Sequence, residues 1–317
     1  MKFSITIPAY KSKFLARAIS SILNQQYDNF ELIIVDDCSP ENIKGVVNTF
    51  LDDRIFYYRN EKNCGALNVV DNWNKCLSYC TGEYVICMGD DDMLMPETLA
   101  SYFNLIRRFP GLAVYHTLSA IIDEDDNIED VQCSRPIYET VYSFIWHRFA
   151  VRKSQFIGDF LFDISILRQV GGFFKLPLAW GSDEISAIRA ASINGIANTN
   201  KIGFLYRSNS QTISSTSSVN EKNKASLLEK EWILNFLEKE PVDEQDKIYW
   251  NLIKKELPRH YKRNINYEIT CDLLKHPQKI FYWMRVSGKY EISRGSLLLS
   301  CINDIALRIA IHNRKNK

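Results

Sequence analysis

Over the first 118 residues, short apolar runs closed by polar turns alternate with stretches of helical spacing. Phe3, Ile5 and Ile7 mark a first strand, closed by Pro8. Residues 32–35 are apolar without a break, as expected of a strand buried on both faces, and they end in Asp36-Asp37. Residues 55–58 form a third run, and residues 84–88 a fourth. Between them, Phe14, Leu15, Ala18, Ile19, Ile22 and Leu23 recur at helical steps behind a predicted Ser12 cap. Ser39-Pro40 opens a second helix carrying Ile43, Val46, Val47, Phe50 and Leu51, and Leu67, Val70, Trp73, Leu77 and Cys80 mark a third. Repeated strand–helix units of this kind predict an α/β fold with a mostly parallel central sheet flanked by helices.

The fourth run ends in one step in three carboxylates, Gly89-Asp90-Asp91-Asp92. A parallel sheet binds ligands just beyond the carboxyl ends of its strands. Three acids crowded there repel one another unless a cation joins them, and a hard divalent ion takes oxygen ligands. The plainer reading is an acidic turn whose Asp caps the helix that Pro96 and Glu97 open. Both readings stand at this point.

With 317 residues, 46% hydrophobic and 24% charged, the chain has the composition of a soluble enzyme with one large domain or a domain plus an appendage. A net charge of +1 excludes bulk nucleic-acid binding, but residues 254–317 hold 14 Lys/Arg against 5 Asp/Glu, leaving residues 1–253 at −8. The eight cysteines form no Cys-x-x-Cys pair and have no histidines nearby, so they read as reduced residues of a cytosolic protein. No signal peptide is expected before Phe3. No run reaches the ~18 apolar residues of a membrane span, and residues 296–311 are interrupted by Asp304 and Arg308.

Beyond residue 118 periodicity weakens. Asp123-Glu124-Asp125-Asp126-Asn127 reads as a hairpin tip or loop, not a metal site, and residues 208–220 as a mobile Ser/Thr/Asn-rich loop. From Glu221 the chain is helical in character, with Trp232, Phe236, Trp250, Leu252 and Leu257 among charges. Near the end Leu298, Ile302, Ile305 and Ile309 form an apolar stripe among Arg294, Arg308, Arg314, Lys315 and Lys317. Its partner stays open between an anionic membrane surface and packing on the catalytic domain or a second subunit.

Four segments then stand at strand ends or adjoining loops: residues 7–11, Asp36-Asp37, Asp90-Asp91-Asp92 and residues 180–184. With Asn72-Trp73-Asn74, Gly82-Glu83-Tyr84, residues 90–96, Gly171-Gly172-Phe173 and Asp183-Glu184, their order over residues 3–210 resembles the family 2 glycosyltransferases of GT-A fold. The resemblance implies a GT-A catalytic domain over 1–215, with a nucleotide-binding half of about 1–118 and an acceptor half of about 119–215. A helical C-terminal extension occupies 216–317. It implies an inverting transfer from a nucleotide-diphospho-sugar, with a UDP-sugar favoured, to a glycan or lipid-linked acceptor in bacterial surface polysaccharide synthesis. Pro8, Ala9 and Tyr10 would lie under the base and ribose, Asp37 would accept from the pyrimidine, and Asp90 would contact the ribose. Asp91 would ligate Mg²⁺ or Mn²⁺ on the diphosphate, Arg207 would pair with the pyrophosphate, and Asp183 would be the general base. Such an enzyme works in the cytoplasm, either free or peripheral on the inner face of the membrane, with contact there or a homodimer made through the C-terminal helices.

That chemistry needs those residue types. Displacing a nucleoside diphosphate leaves charge on the leaving oxygen, which a metal and an arginine stabilise. A sugar hydroxyl is a poor nucleophile until a carboxylate takes its proton. The chain departs from the family pattern at Gly89, in the usual first Asp slot, and at Asn209, where many members carry His. Plainer readings remain: Tyr10 as a core-edge aromatic, and Asp37 and Asp183 as helix caps. An inactive GT-A-like assembly or binding protein is one alternative function. A sugar-phosphate nucleotidyltransferase is another, although residues 8–13 lack the glycines that would hold a triphosphate.

Overall fold

The computed structural model of the chain describes residues 1–150, 154–299 and 302. Its first part runs β1 (Phe3–Ala9), α1 (Leu15–Leu23), β2 (Phe30–Asp36), α2 (Ile43–Val47), β3 (Ile55–Arg59), α3 (Val69–Tyr79) and β4 (Tyr84–Cys87). Next come β5 (Met93–Leu94), α4 (Thr98–Arg108), β6 (Val114–Ile122), β7 (Ile128–Val131), β8 (Tyr138–Glu139) and α5 (Val141–Ala150). β9 (Phe160–Asp163), α6 (Ile164–Gln169), α7 (Ser182–Asn194) and β10 (Ile196–Arg207) complete the sheet region. The C-terminal region is helical: α8 (Ile213–Thr216), α9 (Val219–Phe236), α10 (Glu244–Lys275) and α11 (Ile280–Val286).

Among the described residues the sheet has ten strands, in the order β3-β2-β1-β4-β9-β6-β10-β5, with β7 on β6 and β8 on β10. β3, β2, β1 and β4 are mutually parallel, and so are β6 and β10. β9 runs antiparallel between β4 and β6, so both parallel groups point their carboxyl ends to one edge. The fold is the expected α/β one, with a mixed but mostly parallel sheet. The continuous apolar run in β2 has its expected cause. Leu32 and Ile34 pack with Phe3, Ile5 and α1, while Ile33 and Val35 pack on the opposite face with Val70, Trp73 and Leu77 of α3.

Local details differ from the sequence reading. Ser12 does not cap α1, whose N-cap is Phe14; the Ser12 N–H and Oγ both donate to Glu41 Oε2 at 2.6 Å. α2 is shorter than expected, because Asn42 caps it and Leu51 is fully exposed. The acid triplet caps nothing: β5 intervenes, and the N-cap of α4 is Glu97. Residues 123–127 are indeed the tip of the β6–β7 hairpin. The stretch 208–220 is not irregular throughout, since it holds α8 and the Ser218 cap of α9. Seven cysteines are free thiols, and Cys301 lies outside the described residues.

The C-terminal helices share the main core. Ile233, Leu237, Ile253, Leu257 and Tyr261 join Phe144, Ile145, Ala187 and Ile188 in one buried cluster. Farther along, Leu297 is buried with Trp283 and Ile292, whereas Leu298, Leu299 and Ile302 are exposed. The rest of the basic apolar stripe, Ile305 to Lys317, lies outside the described residues. Among those described, no helix is long and apolar enough to cross a membrane.

Candidate active site

Strand register brings the predicted nucleotide-binding residues to one edge. Ala9 pairs with Asp36, and Asp36 with Arg59. The Met88 N–H donates to Thr6 O at 3.0 Å, so the acids leave β4 beside the turn that follows β1. There the Asp90 carboxylate accepts the backbone N–H groups of Tyr10 at 2.6 Å and Lys11 at 2.7 Å. Ser39 Oγ donates to Tyr10 O at 2.5 Å, which holds the same turn from the β2 side. With its backbone fixed on both sides, the Tyr10 side chain stands 42% exposed over the edge. Pro8 and Ala9 precede it as the closing residues of β1.

The two acids after β2 have separate tasks. Asp36 is fully buried and structural, because Tyr57 Oη and Arg59 donate to its Oδ2 and the Ser39 N–H donates to its Oδ1. The Asp37 carboxylate accepts from Asn60 Nδ2 at 2.8 Å and from the Cys64 N–H at 3.0 Å. Asn60 also donates to Asn72 Oδ1 at 2.9 Å, and Asn72 donates to Val35 O at 3.1 Å. Asp37 is thus no cap for α2. Asn60 and Cys64 lie outside every motif and are identifiable only from the fold.

The triplet also divides. Asp92 is buried; its carboxyl group accepts the Gly89 N–H at 3.1 Å and the Arg207 N–H at 2.9 Å. Burial, then the Asp91 charge, pushes the Asp90 carboxyl up to about 7 and Asp92 well above the usual carboxylate range. Asp91 is the half-buried member, with Oδ2 accepting Asn209 Nδ2 at 2.7 Å. Gly89 suits this packing: a Cβ there would lie 2.7 Å from Asp92 Oδ2 and 2.8 Å from Asp91 Oδ1. Asp90 and Asp92 are engaged by backbone N–H groups, so the triplet presents one outward carboxylate. That donor set fits a Mg²⁺ or Mn²⁺ ion completed by phosphate oxygens and water, and not an ion caged by protein alone.

The structure places Arg207 differently from the sequence expectation. Its backbone belongs to the site, but its fully buried guanidinium donates to Asp91 O at 2.8 Å and Asp123 O at 2.7 Å. It also pairs with Asp126 at 2.6 Å and lies over the Phe14 ring at 4.5 Å. It ties the β6–β7 tip to the acid turn and does not face open space. Two other polar groups come close instead: Asn209 on Asp91, and Lys11, whose Nζ donates to Gln211 O.

Asp183 stands apart, in the first turn of α7. The N-cap there is Gly181, so Asp183 is no cap. The preceding loop is anchored to the nucleotide half by the Asn-Trp-Asn segment. Asn74 accepts the Phe173 N–H at 2.8 Å and donates to Phe173 O at 3.0 Å, while Trp73 meets the Phe173 ring edge-on at 5.9 Å. Ser182 and Ser186 side chains then accept the N–H groups of Leu176 and Phe174. Burial, then Glu184, pushes the Asp183 carboxyl up to about 7, against the downward pull of Arg148. A carboxylate that titrates near neutrality suits a general base.

The family model for glycosyl transferase family 2 matches residues 4–173, more than half of the chain. The chain belongs to glycosyltransferase family 2. It is 40% identical over 102 residues to the putative colanic acid biosynthesis glycosyl transferase WcaA of Escherichia coli, covering 31% of this chain and 36% of that protein. It is 35% identical over 103 residues to the GalNAc(5)-diNAcBac-PP-undecaprenol beta-1,3-glucosyltransferase of Campylobacter jejuni, covering 32% and 33%. These alignments span about a third of each relative's length. Among solved structures, S. aureus TarS 1–349 with UDP-GlcNAc superposes with a TM-score of 0.60 at 17% identity, over 90% of this chain and 88% of that one. The mannosyltransferase PcManGT from Pyrobaculum calidifontis, solved with GDP-Man and Mn²⁺, gives 0.57 at 14% identity, over 93% and 84%. At such identities these structures establish the GT-A fold.

Proposed function

We propose that this family 2 glycosyltransferase is an inverting, metal-dependent enzyme that moves a sugar from a nucleoside-diphospho-sugar, UDP-linked in the first instance, to a hydroxyl of a glycan or lipid-linked saccharide. Residues 1–118 take the nucleotide, residues 119–215 the acceptor, and residues 216–317 form the helical extension. Tyr10 covers the base or ribose, with Pro8 and Ala9 beneath it. Asp37 receives the pyrimidine N–H, Asp90 shapes the ribose side, and Asp91 would hold Mn²⁺ or Mg²⁺, which would offset the charge on the leaving diphosphate. Arg207 supports the diphosphate site from behind by fixing the Asp91 backbone, while Asn209 and Lys11 are the polar groups nearer the phosphates. Asp183 takes the acceptor proton, and displacement from the opposite face inverts the anomeric carbon.

The observation that carries this reading is the division of labour in the triplet: two carboxyl groups are engaged by backbone and one is left outward at the carboxyl edge of the parallel strands. The relatives support the substrate class, since the Campylobacter jejuni protein is named for an undecaprenol-diphosphate acceptor and TarS was solved with UDP-GlcNAc. Such a lipid-linked acceptor favours work at the cytoplasmic face of the membrane in surface polysaccharide synthesis. Calorimetry with UDP and Mn²⁺ tests the metal assignment. Asp91→Ala removes the metal-dependent part of UDP binding, whereas unchanged affinity would assign the ion elsewhere.

A further inference from the structure

Behind Asp183 the protein buries more carboxyl groups than cations. Asp183 and Glu184 leave the first turn of α7, and Glu229 comes from α9 in the C-terminal extension. A close approach fixes Glu229: a Cβ on Gly181 would lie 2.5 Å from Glu229 Cδ and 2.7 and 2.8 Å from its two carboxyl oxygens. The extension therefore presses a carboxyl group onto the backbone two residues before the base. Among the described residues, Arg148 on α5 faces all three acids, and its Nε donates to Glu184 Oε2 at 2.6 Å. That pair is inside the protein, with the two side chains 19% and 2% exposed. Other charged or titratable groups face the cluster from the surrounding elements. Tyr261 of α10 faces Glu229 and Glu184, and His260 beside it faces Arg148. Asp159, ahead of β9, faces Asp183 and Glu184, and Arg135, ahead of β8, faces Glu184.

We propose that Arg148 and Glu229 are positioning residues for Asp183: Arg148 supplies the positive charge that stabilises its carboxylate form, and Glu229 carries the C-terminal extension into the active centre. The proposal rests on the reading of Asp183 as the base. Its physical ground is a charge imbalance. Among the described residues the carboxyl groups that face one another, Asp183, Glu184, Glu229 and Asp159, outnumber the guanidinium groups that face them, Arg148 and Arg135, and a low-dielectric site resolves such an excess by protonation. Burial, then Glu184, holds the Glu229 carboxyl well above the usual range, which favours its neutral form. Glu184 takes the direct bond to Arg148. Asp183, half-buried at the front of the cluster, is left between the repulsion of Glu184 and the attraction of Arg148, which is the balance that lets its carboxyl ionise near neutrality. A helix of the extension that looks like a solvated charged face thus helps to set the chemistry of the catalytic half.

Infrared titration of the full-length protein without nucleotide tests this. Subtracting Asp183→Asn from wild type isolates the Asp183 carboxyl band, which is expected to titrate at about 7. Arg148→Gln moves that titration up by about one pH unit or more, the usual effect of removing a nearby opposite charge. Arg148→Lys restores it, and Glu184→Gln moves it down. A loss of packing alone does not produce shifts of opposite sign. If Arg148→Gln does not fold, Arg148→Met takes its place, with the same upward shift expected and an unmoved titration again counting against Arg148. Glu229→Gln removes a protonated carboxyl band that persists in wild type above the usual carboxylate range. Titration of Asp183 that is the same in all variants overturns the role of Arg148, and survival of that band in Glu229→Gln overturns the role of Glu229. Hydrolysis of UDP-, GDP- and dTDP-sugars with Mn²⁺ is measured in parallel. Asp183→Asn as active as wild type would sink the base reading itself, whereas an inactive Asp183→Asn with unmoved titrations would sink only the positioning proposal.

Discussion

Asp90, Asp91 and Asp92 carry the same side chain and do three different things. Asp90 accepts two consecutive N–H groups of the β1 turn, Asp92 braces Gly89 and Arg207, and Asp91 faces outward beside Asn209. Their environments follow from which backbone donors the neighbouring strands present, and that differs by one residue along the turn. Asp183 shows the same dependence on surroundings. Asp183→Asn keeps the size and hydrogen bonding of the side chain but loses the basic oxygen, so turnover should fall about 10²–10⁴-fold while UDP affinity stays near wild type. Near-native turnover would move the base to Glu184. The substitution also has a stability signature. The folded carboxyl titrates at about 7, above the ~4 of an unfolded aspartate. A raised group favours the fold fully below the unfolded value, and that contribution is lost as pH rises through the folded one. Asp183→Asn should therefore raise Tm relative to wild type at about pH 8 and change it little at about pH 4. Equal effects at both pH values would mean that the carboxyl is not held in this way.

At the scale of elements, α7 begins on a glycine for two reasons. Gly181 has φ 85°, and its missing Cβ leaves room for Glu229 of α9. Gly111 has φ 78° but nothing within 4 Å of its virtual Cβ, so it isolates the backbone part of the cost. Gly111→Ala should lose about 1 kcal/mol in urea denaturation. Gly181→Ala should lose that and a further ~1–2 kcal/mol for the displaced carboxyl. Equal losses would put Glu229 away from the start of α7. The same elements show what a sequence reveals. β2 and β4 were legible because the runs buried on both faces, residues 32–35 and 84–87, are apolar without a break, and Asp37 and Asp91 stood out just beyond them, whereas Asp183 stood out as half of an acid pair at the start of a helix. α5 and β9 were not: β9 is a four-residue antiparallel strand slotted between β4 and β6, and pairing partners leave no local pattern. Glu229 stayed hidden because it sits among charges that look like a solvated helix face, and Arg148 because it lies in the last turn of a largely apolar helix with nothing local to show that it faces acids, so only tertiary packing reveals either. The Arg207 guanidinium was misplaced for the converse reason, since nothing local announces that the hairpin tip at Asp123–Asp126 turns back to claim it.

At the scale of the molecule, the question is whether the sheet region can stand without the helices that follow it. α10 packs on both α5 and α9, and Ile233, Leu237, Ile253, Leu257 and Tyr261 complete the core that also holds Phe144 and Ile188. Fully burying an aliphatic side chain is worth ~1.5–3 kcal/mol, so the four aliphatic residues and Tyr261 together contribute on the order of 10 kcal/mol. That is comparable to the whole stability of an ordinary domain, about 5–15 kcal/mol. A fragment of residues 1–216 should therefore fail to fold, binding a hydrophobic dye and showing no cooperative melt. A fragment of residues 1–276 keeps α9 and α10 and loses, among the described residues, the contacts around Trp283, whose Nε1 donates to Asp272 Oδ2 at 2.7 Å, and the pair of Lys230 with Glu291. It should melt cooperatively a few degrees below the full chain, because a loss of ~1–2 kcal/mol shifts Tm by roughly that much in a protein of this size. A 1–216 fragment that melts cooperatively near the full-length temperature would show the sheet region to be an independent domain. Its Asp183 would then have to titrate as in the full chain without Glu229, which would detach the extension from the active centre as well as from the core.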